Sequence, residues 1–212
     1  MVTDAKRCVI VAASPDCDDD FIGKFIQDGD YVICADAGCD KLLNTNIIPD
    51  LIAGDFDSSK KLGMFDQVPT IRLPVQKDDT DTMYCVKTAL EKGFKRVVIL
   101  GAIGGRFDHT LANLSCLLYM QSAGAAGRIV DGINDIRLLD KGLNVYRGVL
   151  GKTVSVIPFG CSEAVLSYEG LFYKLEKGRV GIDYPYTVSN YAAEDEIKIH
   201  LHSGTALIIF VG

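Results

Sequence analysis

The apolar pattern changes period once along the chain, and that change constrains the fold more than any other feature. Up to about residue 132 the strand-length apolar runs are continuous: 7–13 (RCVIVAA), 31–35 (YVICA), 50–53, 70–75 and 96–100 (RVVIL), with 128–130 as a sixth. Helical stretches at 20–27, 38–43, 79–92 and 108–122 separate most of them. A strand that is apolar on both faces must be covered on both, which implies a parallel sheet between helices. Beyond residue 132 the runs shorten and alternate, at 136–139, 153–157, 164–168, 196–201 and 206–211, with glycine-containing turns and no amphipathic helix. Alternation with period two marks strands with one buried and one solvated face. The expected fold is therefore an α/β N-terminal domain, residues 1–132, with a mostly parallel, Rossmann-like sheet, followed by a C-terminal all-β sandwich, residues 133–212. A chain of 212 residues accommodates both.

Composition narrows the partners. The net charge of −6 gives a nucleic acid no electrostatic support, and no apolar run approaches the length of a membrane span. The seven cysteines (8, 17, 34, 39, 85, 116 and 161) are odd in number and form no CxxC pair. Several lie in apolar runs, where a thiol packs as a small hydrophobe, so a reducing, cytoplasmic setting is expected.

Ligands of open parallel sheets bind outside the carboxyl ends of the strands. Four successive strand ends here deliver carboxylates or glycine turns: Ala35-Asp36-Ala37-Gly38, Gly54-Asp55-Phe56-Asp57, Lys77-Asp78-Asp79-Thr80-Asp81-Thr82, and the glycine turn from Gly101 to His109. A single such Asp is ordinary helix-cap chemistry. Six aspartates on one edge (36, 55, 57, 78, 79 and 81) would raise one another's pKa values unless a cation relieved the repulsion. Mg²⁺ prefers carboxylate and water oxygens and shares its shell with substrate phosphates. Helix N-termini and the Gly104-Gly105 turn offer backbone N–H groups to those phosphates, with Lys77 and Arg106 adding positive charge. The composite is a Mg²⁺–polyphosphate site.

Near-matches to other motifs are excluded by spacing. Ile103 breaks a GxGxxG pattern after Gly101, and the Gly148–Thr153 segment has its first glycine two residues too close for a P-loop. The three histidines have no zinc-ligand spacing, and no Ser-His-Asp grouping is legible.

Taken together, ADAG at 35–38, PDLIAGDFDS at 49–58, KDDTDT at 77–82 and GGRFDH at 104–109 closely resemble thiamine pyrophosphokinases in order and spacing, over nearly the whole chain. The resemblance implies an α/β domain with a C-terminal β-sandwich, ATP as co-substrate and thiamine as acceptor. It also implies a homodimer with active sites at the subunit interface. It makes Asp55, Asp57 and Asp81 the catalytic, metal-handling carboxylates. It gives Asp36, Lys77, Asp78, Thr80, Gly104, Arg106, Asp108 and His109 to the nucleotide, and Ser189 and Asn190 to thiamine. The chain has no Trp, whereas some members stack an indole on thiamine; a tyrosine is the expected replacement, with Tyr191, which follows the Ser-Asn pair, Tyr184 and Tyr186 as the candidates. The acidic segment 16–20 is expected to be a solvated loop with a helix cap. The competing readings are transfer to a different small alcohol and a non-catalytic nucleotide or thiamine diphosphate sensor.

Overall fold

The computed structural model describes residues 7–55, 62–74, 76 and 78–212. The chain divides into two compact units, Met1–Gly132 and Ile133–Gly212. Among the described residues no helix is long and apolar enough to cross a membrane.

The first unit carries strands β1 (Cys8–Val11), β2 (Tyr31–Ala35), β3 (Leu51–Gly54), β4 (Thr70–Arg72), β5 (Arg96–Leu100) and β6 (Ala126–Val130). Their order is β6-β5-β1-β2-β3-β4, and every pairing is parallel. The chain steps outward from β1 to β4 and then returns to β5 on the other side of β1. The strand order thus reverses between β1 and β5, the place where open parallel sheets bind ligands. The continuous apolar runs are explained by their surroundings. Val9 and Val11 join a core with Phe21, Ile22 and Phe25 of helix α1 (Asp19–Phe25) and Leu42 of the 3₁₀ turn Asp36–Leu42. Helix α2 (Asp81–Glu91) packs against β1, β2 and β3, and helix α3 (Phe107–Ser122) against β6. On α3 the buried residues Asn113, Cys116, Leu117 and Met120 follow the i, i+3, i+4, i+7 spacing of one helix face. Gly127 of β6 makes room for that face, since a Cβ there would lie 2.5 Å from Met120 Cε.

Boundaries follow local chemistry. Thr80 caps α2 by accepting the Met83 N–H at 3.2 Å, so the helix begins at Asp81 and Asp79 lies outside it. Gly93 (φ 88) ends the same helix, with Phe94 N–H bonded to the Ala89 carbonyl at 3.1 Å. β4 stops short of the expected residue 75, because Pro74 has no N–H to donate; Val75 lies outside the described residues.

The second unit is a sandwich of two antiparallel sheets. One has the order β12-β9-β14-β7, from β7 (Asn134–Leu138), β9 (Thr153–Pro158), β12 (Asn190–Tyr191) and β14 (Ala206–Val211). The other has the order β11-β10-β13-β8, from β8 (Gly142–Arg147), β10 (Glu163–Glu169), β11 (Leu175–Gly181) and β13 (Glu196–Ser203). Val154, Val156, Ile208 and Phe210 of the first sheet meet Leu166, Val180, Ile197, Ile199 and Leu201 of the second. β8, β11 and β12 were not expected from the sequence. β11 (LEKGRVG) buries only Val180, β12 has two residues, and β8 turns Leu143 and Val145 to solvent, so each lacks the usual inward apolar rhythm. None of the seven cysteines forms a disulfide; six are buried and Cys161 is partly exposed.

Candidate functional site

In the first unit a cavity of about 460 Å³ opens where the strand order reverses. Its walls come from the ends of three strands and the starts of two helices. Ala12–Pro15 follow β1, Ala35–Ala37 follow β2, and Gly101, Ala102 and Gly104 follow β5; Asp79–Thr82 lead into α2, and Arg106, His109 and Asn113 open α3. The expected residues Asp36, Thr80, Asp81, Gly104, Arg106 and His109 are therefore brought together, although they span 74 positions of sequence.

Asp36 is held in a left-handed backbone conformation, φ 48, which costs a non-glycine residue on the order of 1 kcal/mol and is met mainly where the surroundings enforce it. Two glycines let neighbouring backbone pack closely around this turn. A Cβ on Gly38 would lie 2.0 Å from the Val11 carbonyl oxygen, so only glycine lets the 3₁₀ turn tuck under β1. A Cβ on Gly54 would lie 2.7 Å from Asp36 Cα. Gly54 thereby brings the end of β3, and the Asp55 that follows it, against Asp36. This accounts for the glycines in ADAG and GDFD. Asp55 does not itself line the cavity. Asp57 and Lys77 lie outside the described residues.

The other charges are arranged in pairs. Lys87 Nζ lies 2.7 Å from each carboxylate oxygen of Asp79, which raises the lysine's pKa and braces the segment before α2. Arg106 grips Asp108 with two prongs, Nη2–Oδ2 at 2.6 Å and Nε–Oδ1 at 3.2 Å. Hydrogen bonding from that guanidinium holds the Asp108 carboxyl below the usual carboxylate range. Asp108 and Asp78 are exposed and do not line the cavity; Asp108 is paired with the cavity-lining Arg106.

The acidic segment 16–20 divides its labour. Asp18 caps α1 by accepting the Asp20 N–H at 3.1 Å, Asp19 pairs with Lys41 at 3.1 Å, and Asp20 reaches Lys24 at 3.4 Å. These agree with the cap-and-solvent expectation. Asp16 does not, because its Oδ2 accepts the N–H of Gly105 at 2.8 Å, 89 residues away. Ser14, Pro15 and Asn113 were also not foreseen. The Asn113 amide donates to the Ala102 carbonyl at 2.8 Å, and its signal in the sequence is a lone polar residue on the buried stripe of α3.

In the second unit, Ser189 is again a left-handed non-glycine residue, φ 56, and its N–H bonds to Ser155 Oγ at 3.0 Å. Asn190 is buried and spends its amide internally. Its Oδ1 accepts from Tyr173 N–H at 3.0 Å and Tyr191 N–H at 2.9 Å, and its Nδ2 donates to the Tyr173 carbonyl at 2.8 Å. Asn190 therefore fixes the backbone of Tyr173, whose ring is 63% exposed and packs edge-on against Phe172 at 5.0 Å. Tyr191 stacks on Phe172 at 4.6 Å. The aromatic group attached to the Ser-Asn pair is thus Phe172-Tyr173-Tyr191, with Tyr184 and Tyr186 forming a separate pair.

Among the described residues no three Asp, Glu, His or Cys side chains gather into a cage that would hold a metal alone. Mg²⁺ does not require one: it takes one or two carboxylates and completes its octahedron with water and phosphate oxygens. The carboxylates and hydroxyls of Asp36, Asp79, Thr80, Asp81 and Thr82 give the cavity the hard oxygen donors this ion prefers.

Comparison with known proteins matches these features in both units. The family model "Thiamin pyrophosphokinase, catalytic domain" matches residues 22–126, and "Thiamin pyrophosphokinase, vitamin B1 binding domain" matches residues 141–206. Thiamin pyrophosphokinase 1 of Caenorhabditis elegans is 27% identical over 193 residues, covering 85% of this chain and 78% of its own. The Bacillus subtilis thiamine pyrophosphokinase is 29% identical over 163 residues, covering 74% and 76%. The crystal structure of thiamine pyrophosphokinase from Bacillus subtilis superposes with a TM-score of 0.87 at 26% identity, over 97% of this chain and 99% of that one. Yeast thiamin pyrophosphokinase shares the fold, with a TM-score of 0.82 at 17% identity over 99% and 87% of the two chains. By its two domains and by its fold, the chain belongs to the thiamine pyrophosphokinase family.

Proposed function

We propose that this chain transfers the β,γ-pyrophosphoryl group of ATP to the hydroxyethyl oxygen of thiamine, giving thiamine diphosphate and AMP. The observation that carries the reading is the cavity at the reversal of strand order, where carboxylates from the β2 end and the α2 start face Arg106, His109 and a glycine turn. It lies largely within the stretch matched by the family's catalytic domain.

Phosphoryl transfer asks a protein mainly for positioning and charge neutralisation. Some of Asp55, Asp57 and Asp81 would hold Mg²⁺, which when bound neutralises phosphate oxygens and stabilises charge moving onto AMP. Asp36, Lys77, Asp78, Thr80, Gly104, Arg106, Asp108 and His109 are assigned to the nucleotide. Arg106 offers its two-pronged fork to the phosphates in exchange for Asp108, which occupies that fork in this structure. In the transfer the thiamine oxygen attacks the β-phosphorus, the bond between that phosphorus and the oxygen bridging to the α-phosphorus breaks, and AMP leaves with the bridging oxygen. The hydroxyl proton passes to a carboxylate, for which Asp81 at the first turn of α2 is our assignment. Ser189, Asn190 and Tyr191 form the thiamine side together with Tyr173, whose backbone is clamped by Asn190 and whose ring suits a cationic aromatic substrate. The Rossmann-like description of the parallel sheet, domains at 1–132 and 133–212, a cytoplasmic setting and a homodimer with active sites at the subunit interface complete the reading.

Incubation with Mg²⁺-ATP and thiamine, followed by separation of nucleotides and thiamine esters, tests it. Equal amounts of AMP and thiamine diphosphate are expected. AMP formation with another alcohol but not thiamine would overturn the substrate, and ligand binding without turnover would overturn the enzyme.

A further inference from the structure

The loop after β1 and the loop after β5 are joined residue by residue. Ala12 N–H bonds to the Leu100 carbonyl at 2.8 Å, and Ser14 N–H to the Gly101 carbonyl at 2.9 Å. The Ser14 hydroxyl donates to the Ile103 carbonyl, and Asp16 Oδ2 accepts the Gly105 N–H at 2.8 Å. The glycines let the two backbones meet. A Cβ on Gly101 would lie 2.5 Å from the Ala12 carbonyl oxygen, one on Gly104 2.1 Å from Asp16 Oδ2, and one on Gly105 3.0 Å from Pro15 Cδ. All three glycines have positive φ (63, 100 and 63). From the other side, α3 holds the same turn through Gly104 N–H to Thr110 Oγ1 at 3.2 Å and through Asn113 to the Ala102 carbonyl.

The two N–H groups of this turn, natural partners for a phosphate, are therefore already engaged by the chain itself, one by Thr110 and one by the Asp16 carboxylate. Two roles are open to that carboxylate. It could plug the anion position and compete with phosphate, or it could brace the turn from outside. Ser14, Pro15, Gly104 and Arg106 line the cavity, whereas Asp16 does not. The carboxylate is therefore not part of the cavity wall. Its partner Gly105 directly precedes Arg106, the N-cap residue of α3, which has no side-chain cap bond of its own.

We propose that Asp16 is a positioning residue: it clamps Gly105 so that Arg106 presents its fork to the phosphates of the nucleotide. The proposal rests on the nucleotide reading of the cavity given above. Losing one such bond changes the population of the aligned turn by about three- to tenfold.

The test compares Asp16→Ala and Asp16→Asn in the full chain. It reads KM for Mg²⁺-ATP, KM for thiamine, kcat, and amide hydrogen exchange of residues 101–106. Asp16→Ala is expected to raise KM for ATP about three- to tenfold and to speed Gly105 exchange by a similar factor. KM for thiamine and kcat should stay within about twofold on the same argument. Asp16→Asn, whose amide oxygen accepts the same N–H, is expected to restore both. Wild-type KM and exchange in Asp16→Ala would overturn the clamp. A KM for ATP below wild type in Asp16→Asn would also overturn it, because the carboxylate would then be a competitor. If the wild-type chain makes no AMP from ATP and thiamine, the functional reading fails, and the exchange rates alone decide whether Asp16 holds the turn.

Discussion

Replacing Gly54 by Ala tests whether the approach of β3 to Asp36 sets the site. The added methyl would lie 2.7 Å from Asp36 Cα and 3.0 Å from Asp36 N, whereas ordinary contact begins near 3.4 Å. The obstructing atoms are backbone, so no side chain can swing aside. The two segments must part by about 0.7 Å, which moves Asp36 and Asp55 relative to each other. Overpacking of this kind costs about 1–3 kcal/mol. That corresponds to a fall in melting temperature of ~2–4 °C per kcal/mol for a chain of this size. A shift approaching 1 Å at a reacting centre costs up to about 100-fold in rate, so turnover should drop by roughly 10- to 100-fold. Gly93→Ala is the comparator. Gly93 has φ 88 with nothing within 4 Å of the new methyl, so the change adds about 1–2 kcal/mol of backbone strain and touches no other residue. AMP release and thermal melting are measured on both variants. Gly93→Ala should turn over like wild type at a comparable loss of stability; if Gly54→Ala also turns over like wild type, the contact between β3 and Asp36 does not organise the site.

Other outcomes are equally specific. Asp55→Asn and Asp81→Asn should lower turnover by at least about 100-fold while leaving melting within a few degrees, as expected for charge-stabilising groups; near-normal rates would remove both from the metal set. Asp36→Gly relieves a left-handed carboxylate residue and should stabilise the fold by about 1 kcal/mol while abolishing activity, which denaturant titration and an AMP assay read together. Tyr173→Ala should raise KM for thiamine about 3- to 30-fold and Tyr173→Trp should not, if the ring contributes a cation–π contact. Burial pushes the Cys8 and Cys116 thiols up to about 12. Their contribution is complete below the unfolded thiol value near 8.5 and is lost as pH rises towards 12, each thiol removing about 1.4 kcal/mol per pH unit in between. Stability measured across that range should fall steadily, and the native protein should resist thiol reagents at the six buried cysteines.

The two-domain fold was legible because β1, β2, β3 and β5 are covered on both faces and so carry unbroken apolar runs, whereas β9 and β13 alternate. The cavity was legible for a related reason: parallel strands place their carboxyl ends at one edge, so ADAG, the segment before α2 and the GGRFDH turn had to meet. β8, β11 and β12 were hidden because their pairing is satisfied by backbone bonds while few of their side chains are apolar and buried: β11 buries only Val180, β12 only Asn190, and β8 exposes Leu143 and Val145. The clamp of Asp16 on Gly105 was hidden because it depends on the register between two loops 89 residues apart. Thr80 shows the opposite case, a residue expected at the nucleotide that the fold also uses as a helix cap.

The seam between the loops after β1 and β5 has a consequence for how related chains can vary in length. Ala12 faces Leu100, Ser14 faces Gly101 and Ile103, and Asp16 faces Gly105, so the seam is counted residue against residue. An insertion between Val11 and Asp18 would slide each partner off its mate or bulge into the cavity. The turn at Gly29, where nothing lies within 4 Å of an added Cβ, can lengthen without such a cost. Gaps in an alignment should therefore gather at the second place and avoid the first, and the rim of the cavity could be traced from loop lengths alone, whichever residues occupy it.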